Sequence, residues 1–158
     1  MSKKATNHIQ WQSRIKKLSM KFVFVMIITV LSQKTAAQTC NLLIQVPNIK
    51  NTKGNIQVKI YNNEKSFPKA DEQYREAVFK IDTIPGNYLI KGLPKGRYAI
   101  AILHDENSDK KCNMNFFGIP KEGYGFSNNF RPVLSVPVFK DCEIALIADT
   151  SIVIRLIY

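Results

Sequence analysis

Apolar and polar residues alternate with a period of two in several segments after residue 40. This alternation places every second side chain on the same face of a β-strand. Two segments follow it closely, and their apolar faces consist of Leu42, Ile44 and Val46 and of Ile56, Val58 and Ile60. A third segment, Arg97 to Leu103, is apolar on both faces, which predicts a central strand. The last strand is predicted at Ile152, Ile154 and Leu156.

Turn-forming residues separate these segments. Gly or Pro occurs in Asn51 to Gly54, in Pro85 to Asn87 and in Leu93 to Gly96. Short strands joined by such turns predict an all-β fold, a single antiparallel, immunoglobulin-like β-sandwich of about seven strands. The one helical candidate is Pro68 to Ala77, for which a helical turn and a plain loop are both open.

The first 37 residues have the order of a secretory signal peptide. Six cationic side chains and no acidic one lie within Met1 to Lys21, and the apolar stretch Phe22 to Leu31 follows. A helix that crosses a bilayer needs about 20 residues, so this stretch does not predict a permanent anchor. The small residues Thr35 and Ala37 predict cleavage after Ala37. Residues 38–158 then form one domain without a membrane span.

Two alternatives concern this leader. Met20 directly precedes Lys21 and the apolar stretch, so it is a candidate start of translation. Cys40 follows the leader closely, as the lipidated cysteine of a lipoprotein does, but Ala37-Gln38-Thr39 places polar residues where lipidation requires small residues after an aliphatic one. We therefore expect an extracytoplasmic protein, periplasmic or secreted.

The leader also changes the interpretation of the charge. The chain has a formal net charge of +11, but seven of its 23 basic residues and none of its 12 acidic residues precede residue 38. The remaining 16 basic against 12 acidic residues give +4. These basic residues are scattered, without the basic patch that nucleic-acid binding needs, so no nucleic-acid partner is expected.

Cysteine usage is compatible with one disulfide. An exported chain meets an oxidising environment, and Cys40, Cys112 and Cys142 all lie after residue 37. Spacing does not choose among the three pairings, and three unpaired cysteines are the other alternative. A structural zinc site is not expected, because there is no C-x-x-C and His104 is the one histidine after the leader.

Residues 104–140 are too long and too irregular for an ordinary connection between strands. Long segments of this kind in compact domains are usually functional or disordered. Five aromatic residues argue against disorder: Phe116, Phe117, Tyr124, Phe126 and Phe130. We expect one long ordered loop over an end of the sandwich, whose aromatics form either a binding surface or a cap on the core.

The start of this segment contains a partial calcium-binding pattern. Asp105, Asn107, Asp109 and Asn113 occupy relative positions one, three, five and nine, a spacing that brings oxygen ligands together. The sixth and twelfth positions are occupied by Lys110 and Phe116 where the pattern needs Gly and Glu. An Asn/Asp-rich turn whose side chains bind their own backbone is the alternative.

His104 next to Asp105 is a candidate acid–base pair for a hydrolase-type enzyme. Adjacent residues on a strand point to opposite faces, however, so the two side chains are not expected to meet. No nucleophile-elbow serine and no glycine-rich phosphate loop accompanies them. We therefore expect a protein that is not an enzyme and that needs no cofactor, calcium being the exception to test.

Two stretches carry a resemblance to a known family. They are Gly92 to Asn107 and Asn115 to Asn129, the second with the core Gly-Ile-Pro-Lys-Glu-Gly-Tyr-Gly-Phe-Ser-Asn. Together they resemble exported bacterial proteins catalogued as domain of unknown function 2141, over roughly residues 42–158. The family usually has Gly-Asn-Gly-Lys-Leu-Asp where this chain has Ser108 to Asn113. The Leu-Pro-x-Gly-x-Tyr hairpin also resembles transthyretin-like and carboxypeptidase-regulatory-like sandwiches, which implies a non-catalytic module.

These observations favour a non-catalytic binding or structural module of the cell envelope. Function is often carried by loops on a rigid scaffold. The candidate binding residues are His104, Phe116, Phe117, Tyr124, Phe126, Asn128 and Asn129. The expected partner is an envelope protein or a glycan. A calcium-stabilised structural module through residues 105–113 and an enzyme built on His104 are the alternatives.

Overall fold

The computed structural model describes residues 38–114, 116, 120–133 and 135–158. The predicted leader lies outside these residues, together with its cleavage site after Ala37 and the candidate start Met20. Phe117 also lies outside them. Among the described residues, no helix is long and apolar enough to cross a membrane.

Strands dominate the described part of the chain. They are β1 (Thr39–Val46), β2 (Asn55–Tyr61), β3 (Arg75–Lys80), β4 (Gly86–Pro94), β5 (Gly96–Asp105), β6 (Gly123–Phe126), β7 (Glu143–Leu146) and β8 (Thr150–Val153). A 3-10 turn, Ser127–Asn129, follows β6, and a one-turn helix α1, Phe139–Cys142, precedes β7. The predicted all-β class is therefore confirmed.

The strands form two sheets. The three-stranded sheet has the order β4-β1-β8, and the five-stranded sheet has the order β3-β2-β5-β6, with β7 also paired to β5. All pairs are antiparallel except β1 with β8, which run parallel. The sandwich is thus not wholly antiparallel as expected, because the last strand returns beside the first in the same direction.

One hydrophobic core joins the two sheets. The alternating apolar faces that the sequence predicts meet here, and Leu42, Ile44, Ile56, Val58 and Ile100 are each fully buried. Complete burial of a side chain of this size contributes about 1.5–3 kcal/mol. Register is strongly specified under these conditions, because a slip of one residue would turn an entire apolar face outward.

The segment Leu93 to Gly96 is a corner between sheets, not the expected hairpin. β4 pairs with β1 whereas β5 pairs with β2, so the single residue Lys95 carries the chain from one sheet to the other. The hydroxyl of Tyr98 donates a hydrogen bond to the carbonyl of Pro94 at 2.7 Å. Burial raises the pKa of Tyr98, which keeps this donor protonated.

The outer face of the five-stranded sheet carries a second apolar cluster. Tyr61, Phe67, Ala99, Phe139 and Cys142 are buried there. The ring of Phe67 packs edge-on against Tyr61, Phe126 and Phe139, with centroid distances of 5.2, 6.1 and 6.2 Å. The connections that supply Phe67 and Phe139 therefore lie over this face of the sheet, and not over an end of the sandwich.

The turn Ser127–Asn129 joins the strands that share one edge of β5. β6 pairs with β5 up to Ala101 and β7 pairs with it from Ala99, which leaves Ile100 between them. The backbone N–H of Ile100 donates to Ser127 Oγ at 3.0 Å, and this hydroxyl donates to the carbonyl of Cys142. A buried serine thus completes the edge where neither strand reaches.

Residues 68–77 form no helix. Turns lead into β3, which begins at Arg75 and pairs with β2, so Arg75 to Ala77 belong to a strand. The plain-loop alternative describes the residues before Arg75. The predicted long loop likewise contains a strand, β6, followed by the 3-10 turn.

Candidate functional site

A cleft of about 660 Å³ opens on the outer face of the five-stranded sheet. Its floor comes from three neighbouring strands: Lys59 and Tyr61 of β2, Ala101 and Leu103 of β5, and Tyr124 and Phe126 of β6. Sites for small molecules in proteins usually occupy about 300–1,000 Å³. The cleft is therefore large enough to hold a ligand.

The cleft exists because a small residue stands at its centre. Lys59 is opposite Ala101, and Ala101 is opposite Phe126, so the three side chains form one row across the sheet. The methyl group of Ala101 leaves a depression between two long side chains. The neighbouring Ala99 leaves a similar depression, but it is filled by the second apolar cluster and is fully buried, whereas Ala101 is half-buried.

Apolar side chains surround the opening, and three of them are exposed. The loops before β6 and α1 contribute Met114, Pro120, Pro132, Val133, Val136 and Pro137. Met114, Val133 and Val136 are 56%, 87% and 68% exposed. Contiguous apolar surface beside a concave site is typical of binding sites, because its burial removes it from water.

The polar side chains that line the cleft include Lys59 of β2 and Cys112 of the loop that follows β5. Lys59 is half-buried, and its ammonium makes no hydrogen bond or salt bridge with the described residues. Cys112 is a free thiol. Burial raises the pKa of the Cys112 thiol, Glu122 raises it further, and Lys59 lowers it. The charges of Lys59 and Glu122 thus both affect the pKa of this thiol.

A buried polar network lies beside the cleft, at the end of β5. Gln57 Nε2 donates to Asp105 Oδ2 at 2.6 Å, and the backbone N–H of Glu106 donates to Glu122 Oε1 at 3.2 Å. Gln57 Oε1 and Glu122 Oε2 have no hydrogen-bond partner among the residues that the structure describes. None of these side chains lines the cleft.

His104 lies on the opposite face of the sheet from the cleft. It is fully buried, Tyr158 Oη is 2.9 Å from its Nδ1, and the carbonyl of Lys53 is 2.9 Å from its Nε2. A carbonyl only accepts, so Nε2 carries the proton and Nδ1 accepts from Tyr158. Tyr158 in turn accepts from the backbone N–H of Lys50 at 2.8 Å. Both ring nitrogens are therefore committed to structural contacts.

Asp105 points away from His104, under the loop that follows β5. Its carboxylate accepts hydrogen bonds from the backbone N–H groups of Asp109 and Lys110, at 3.1 and 2.9 Å, besides that of Gln57. The two residues of the candidate acid–base pair are thus not brought together.

The residues of the calcium pattern form a self-bonded turn. Asp109 accepts from Asn113 Nδ2 at 2.9 Å, from the backbone N–H of Lys111 at 2.8 Å and from Asn107 Nδ2 at 3.1 Å. These hydrogen bonds lower the pKa of Asp109, that from Asn113 most. In the described part of the chain, no three His, Cys, Asp or Glu side chains are grouped as metal ligands.

The predicted binding residues separate into three locations. Tyr124 and Phe126 line the cleft. Phe116 is 98% exposed and lies outside the set of lining residues. Asn128 and Asn129 connect strands: Asn128 Nδ2 donates to the carbonyls of Asp141 and Glu143, and Asn129 bonds to the backbone around β8.

The cysteines lie in three separate environments. Cys40 is buried in the core between the sheets, Cys142 in the second apolar cluster, and Cys112 at the cleft. All three are free thiols, so the alternative without a disulfide describes this structure. Burial and then Asp141 raise the pKa of Cys142 to about 12.

Residues 44–154 match the sequence profile of a bacterial family described as an uncharacterized protein conserved in bacteria, DUF2141. The chain belongs to this family. The DUF2141 region begins within β1 and ends directly after β8, so it includes the complete cleft floor. No curated protein and no solved structure matches the chain.

Sequence reasoning did not single out Lys59, Ala101 or Met114, which line the cleft. Lys59 has the polar position of an alternating strand, which is typical of a solvated face. The available signal was the pair Ala99 and Ala101, two small residues on one face of the strand predicted to be central.

Proposed function

We propose that this protein is an exported, non-catalytic module of the bacterial cell envelope that holds an apolar ligand in the outer-face cleft. The observation that carries this proposal is the cleft of about 660 Å³ centred on Ala101, with exposed Met114, Val133 and Val136 at its opening. Burial of such side chains by a ligand is favourable by about 25 cal/mol for each Å² of apolar surface.

The lining favours an apolar ligand over a glycan. Of the 17 described residues that line the cleft, 12 have apolar side chains, and the polar groups come from Lys59, Tyr61, Cys112, Tyr124 and Ser135. One of these hydroxyls, that of Tyr61, already donates to the carbonyl of Lys69 at 3.0 Å. Of the loop residues that were expected to form a binding surface, the proposal retains Tyr124 and Phe126. They line the cleft together with residues of β2 and β5.

A role in binding also agrees with the position of His104. A general base needs to lie within hydrogen-bonding reach of a substrate. His104 is fully buried, both of its ring nitrogens are bonded, and it does not line the cleft. These contacts support a non-catalytic module.

Binding is tested with the purified protein and the neutral apolar fluorophore N-phenylnaphthylamine, whose emission rises when it leaves water. Ala101→Leu fills the depression at the centre of the floor, and we expect it to abolish saturable binding. Ala145→Leu is the matched control, because Ala145 is exposed on β7. Equal binding by both variants, or no binding by the unmodified protein, would contradict the proposal.

The proposal of export rests on the sequence of the leader. The position of Cys40 concerns a separate question, whether the processed chain is lipidated. Cys40 is 4% exposed within the core between the sheets. A lipidated Cys40 would have to leave this core, which favours cleavage after Ala37 without lipidation. N-terminal sequencing of the extracytoplasmic protein is expected to begin at Gln38. Ala37→Leu should block processing, whereas Ala36→Leu, at the more tolerant position, should not.

A further inference from the structure

We infer that the ligand of the cleft is an apolar monocarboxylic acid whose carboxylate binds the ammonium of Lys59. This inference rests on the proposed function and names the chemical class of the ligand. It is carried by a single cation without a described partner on a floor whose other side chains carry no charge.

Lys59 lies in the middle of a sheet, at one end of the row that forms the cleft floor. Its side chain is half-buried in the middle of the five-stranded sheet, because β2 has β3 on one side and β5 on the other. Lysine side chains commonly bury their hydrocarbon stem while the ammonium keeps contact with water. Here the neighbours across the strands are Ala101 and Glu76, and the salt bridges of the described residues involve neither Lys59 nor Glu76.

Because Lys59 is partly buried, an anionic partner would stabilise its ammonium more than it would in open water. Desolvation of a charge is unfavourable unless an opposite charge compensates for it. A ligand that covers the cleft would remove more water from Lys59, so a neutral ligand would leave the charge unpaired. A ligand with one negative group at the Lys59 end would form a charge-assisted hydrogen bond in the same position.

The number of cationic groups distinguishes a carboxylate from a phosphate. Lys59 is the one Lys or Arg among the described residues that line the cleft. Phosphate recognition commonly combines several donors, such as Arg side chains and backbone N–H groups of a helix N-terminus. One ammonium matches one negative charge. The carboxylate is therefore the better complement.

The remainder of the cleft matches a hydrocarbon body. From Lys59, the row across the sheet continues over Ala101 to Phe126, and Tyr124 and Leu103 form the next row. The rings of Tyr124 and Phe126 pack edge-on with their centroids 6.1 Å apart. A chain that lies over Ala101 would contact both rings and the apolar rim.

The test compares probes of equal chain length and different charge. Decanoate, decanol and decylamine each compete against N-phenylnaphthylamine, at concentrations below those at which they form micelles. We expect decanoate to bind most tightly. Lys59→Gln should weaken the affinity for decanoate by about tenfold or more, which is the usual effect of one lost hydrogen bond to a charged group. The affinity for decanol should be unchanged or higher.

Two further variants separate the charge of Lys59 from folding and from general electrostatics. Lys59→Arg retains the cation and should retain the preference for decanoate. Lys91→Gln removes an exposed lysine on β4 and should leave the affinities for all three probes unchanged. Thermal melting of each variant establishes that it is folded before its affinities are compared.

The outcomes distinguish this inference from the proposed function. Displacement of the fluorophore by decanol and decanoate with equal affinity, or a preference unaffected by Lys59→Gln, would overturn the carboxylate inference while the cleft remained a binding site. Tighter binding of decylamine would overturn it as well. Absence of fluorophore binding altogether would refute the proposed function itself.

Discussion

The hydroxyl of Tyr158, the last residue of the chain, lies 2.9 Å from Nδ1 of His104. It also accepts a hydrogen bond from the backbone N–H of Lys50, so one side chain connects β5, the loop after β1 and the C-terminus. The ring of Tyr158 lies over Gly123, where an added Cβ would come within 2.5 Å of it. The buried histidine is therefore a partner in tertiary structure.

Tyr158→Phe is expected to destabilise the protein by about 1–2 kcal/mol, because His104 Nδ1 and the N–H of Lys50 lose their partner. Urea unfolding followed by circular dichroism measures the change. Tyr74→Phe is the matched control, since Tyr74 is 47% exposed. An equal loss in both variants would show that the hydrogen bonds of Tyr158 contribute nothing specific.

Asn129 is expected to act on stability and not on ligand binding. Its backbone has φ of 53°, Nδ2 donates to the carbonyl of Val153 at 3.0 Å, and Oδ1 accepts from the N–H of Arg155 at 2.8 Å. Asn129→Gly loses the two hydrogen bonds, a cost of about 1–2 kcal/mol. Asn129→Ala should cost about 1 kcal/mol more, since alanine disfavours positive φ.

Denaturant titration gives the stability of the two Asn129 variants, and fluorophore titration gives their affinities. A weakened affinity at unchanged stability would instead indicate that Asn129 takes part in ligand binding.

Thiol reactivity should distinguish the three cysteines. In the native protein we expect a disulfide reagent to modify Cys112 alone, because Cys40 and Cys142 are 4% and 0% exposed. The rate at Cys112 should rise with pH through a midpoint above that of an ordinary thiol, since burial raises its pKa. Unfolding should release three reactive thiols. Detection of only one after unfolding would indicate a disulfide.

Alkaline pH should destabilise the fold through two buried tyrosines. Burial, with Glu76 as the next cause, raises the pKa of Tyr61 from 10.0 to about 12. Burial, and then Asp82, raises the pKa of Tyr88 from 10.0 to about 12. Between these values the unfolded state binds fewer protons than the folded state, so stability present below pH 10.0 is lost as pH rises toward about 12.

Urea midpoints measured from neutral pH to this alkaline range test the prediction. Tyr61→Phe should reduce the pH dependence, whereas Tyr74→Phe serves again as the exposed control. A stability independent of pH over this range would contradict it.

Much of the sandwich follows from burial of one face. β1 and β2 were predictable because every second residue from Leu42 to Val46 and from Ile56 to Ile60 is apolar and faces the core. β5 was predictable as a central strand, since its outer face is also covered. In contrast, β3 is an edge strand whose residues are mostly exposed, and its apolar face consists of Ala77 and Phe79 alone, which was too short to mark it.

The strand β6 and the cleft needed the three-dimensional structure. In β6, Gly123 and Gly125 face Tyr158 and the backbone of Arg155, contacts that leave no room for side chains. Their sequence pattern therefore predicted a loop. The cleft depends on the register that aligns Lys59, Ala101 and Phe126, and alternation within single strands does not determine which residues become neighbours across strands.

The parallel pairing of β1 with β8 bears on the order in which the domain is made. β1 needs β4 on one side and β8 on the other, and β8 is the last of the eight described strands in the chain. The smaller sheet is therefore incomplete until the other seven strands have been synthesised. In the export that we propose, this delay would keep the nascent polypeptide unfolded and hence able to pass through a translocation channel.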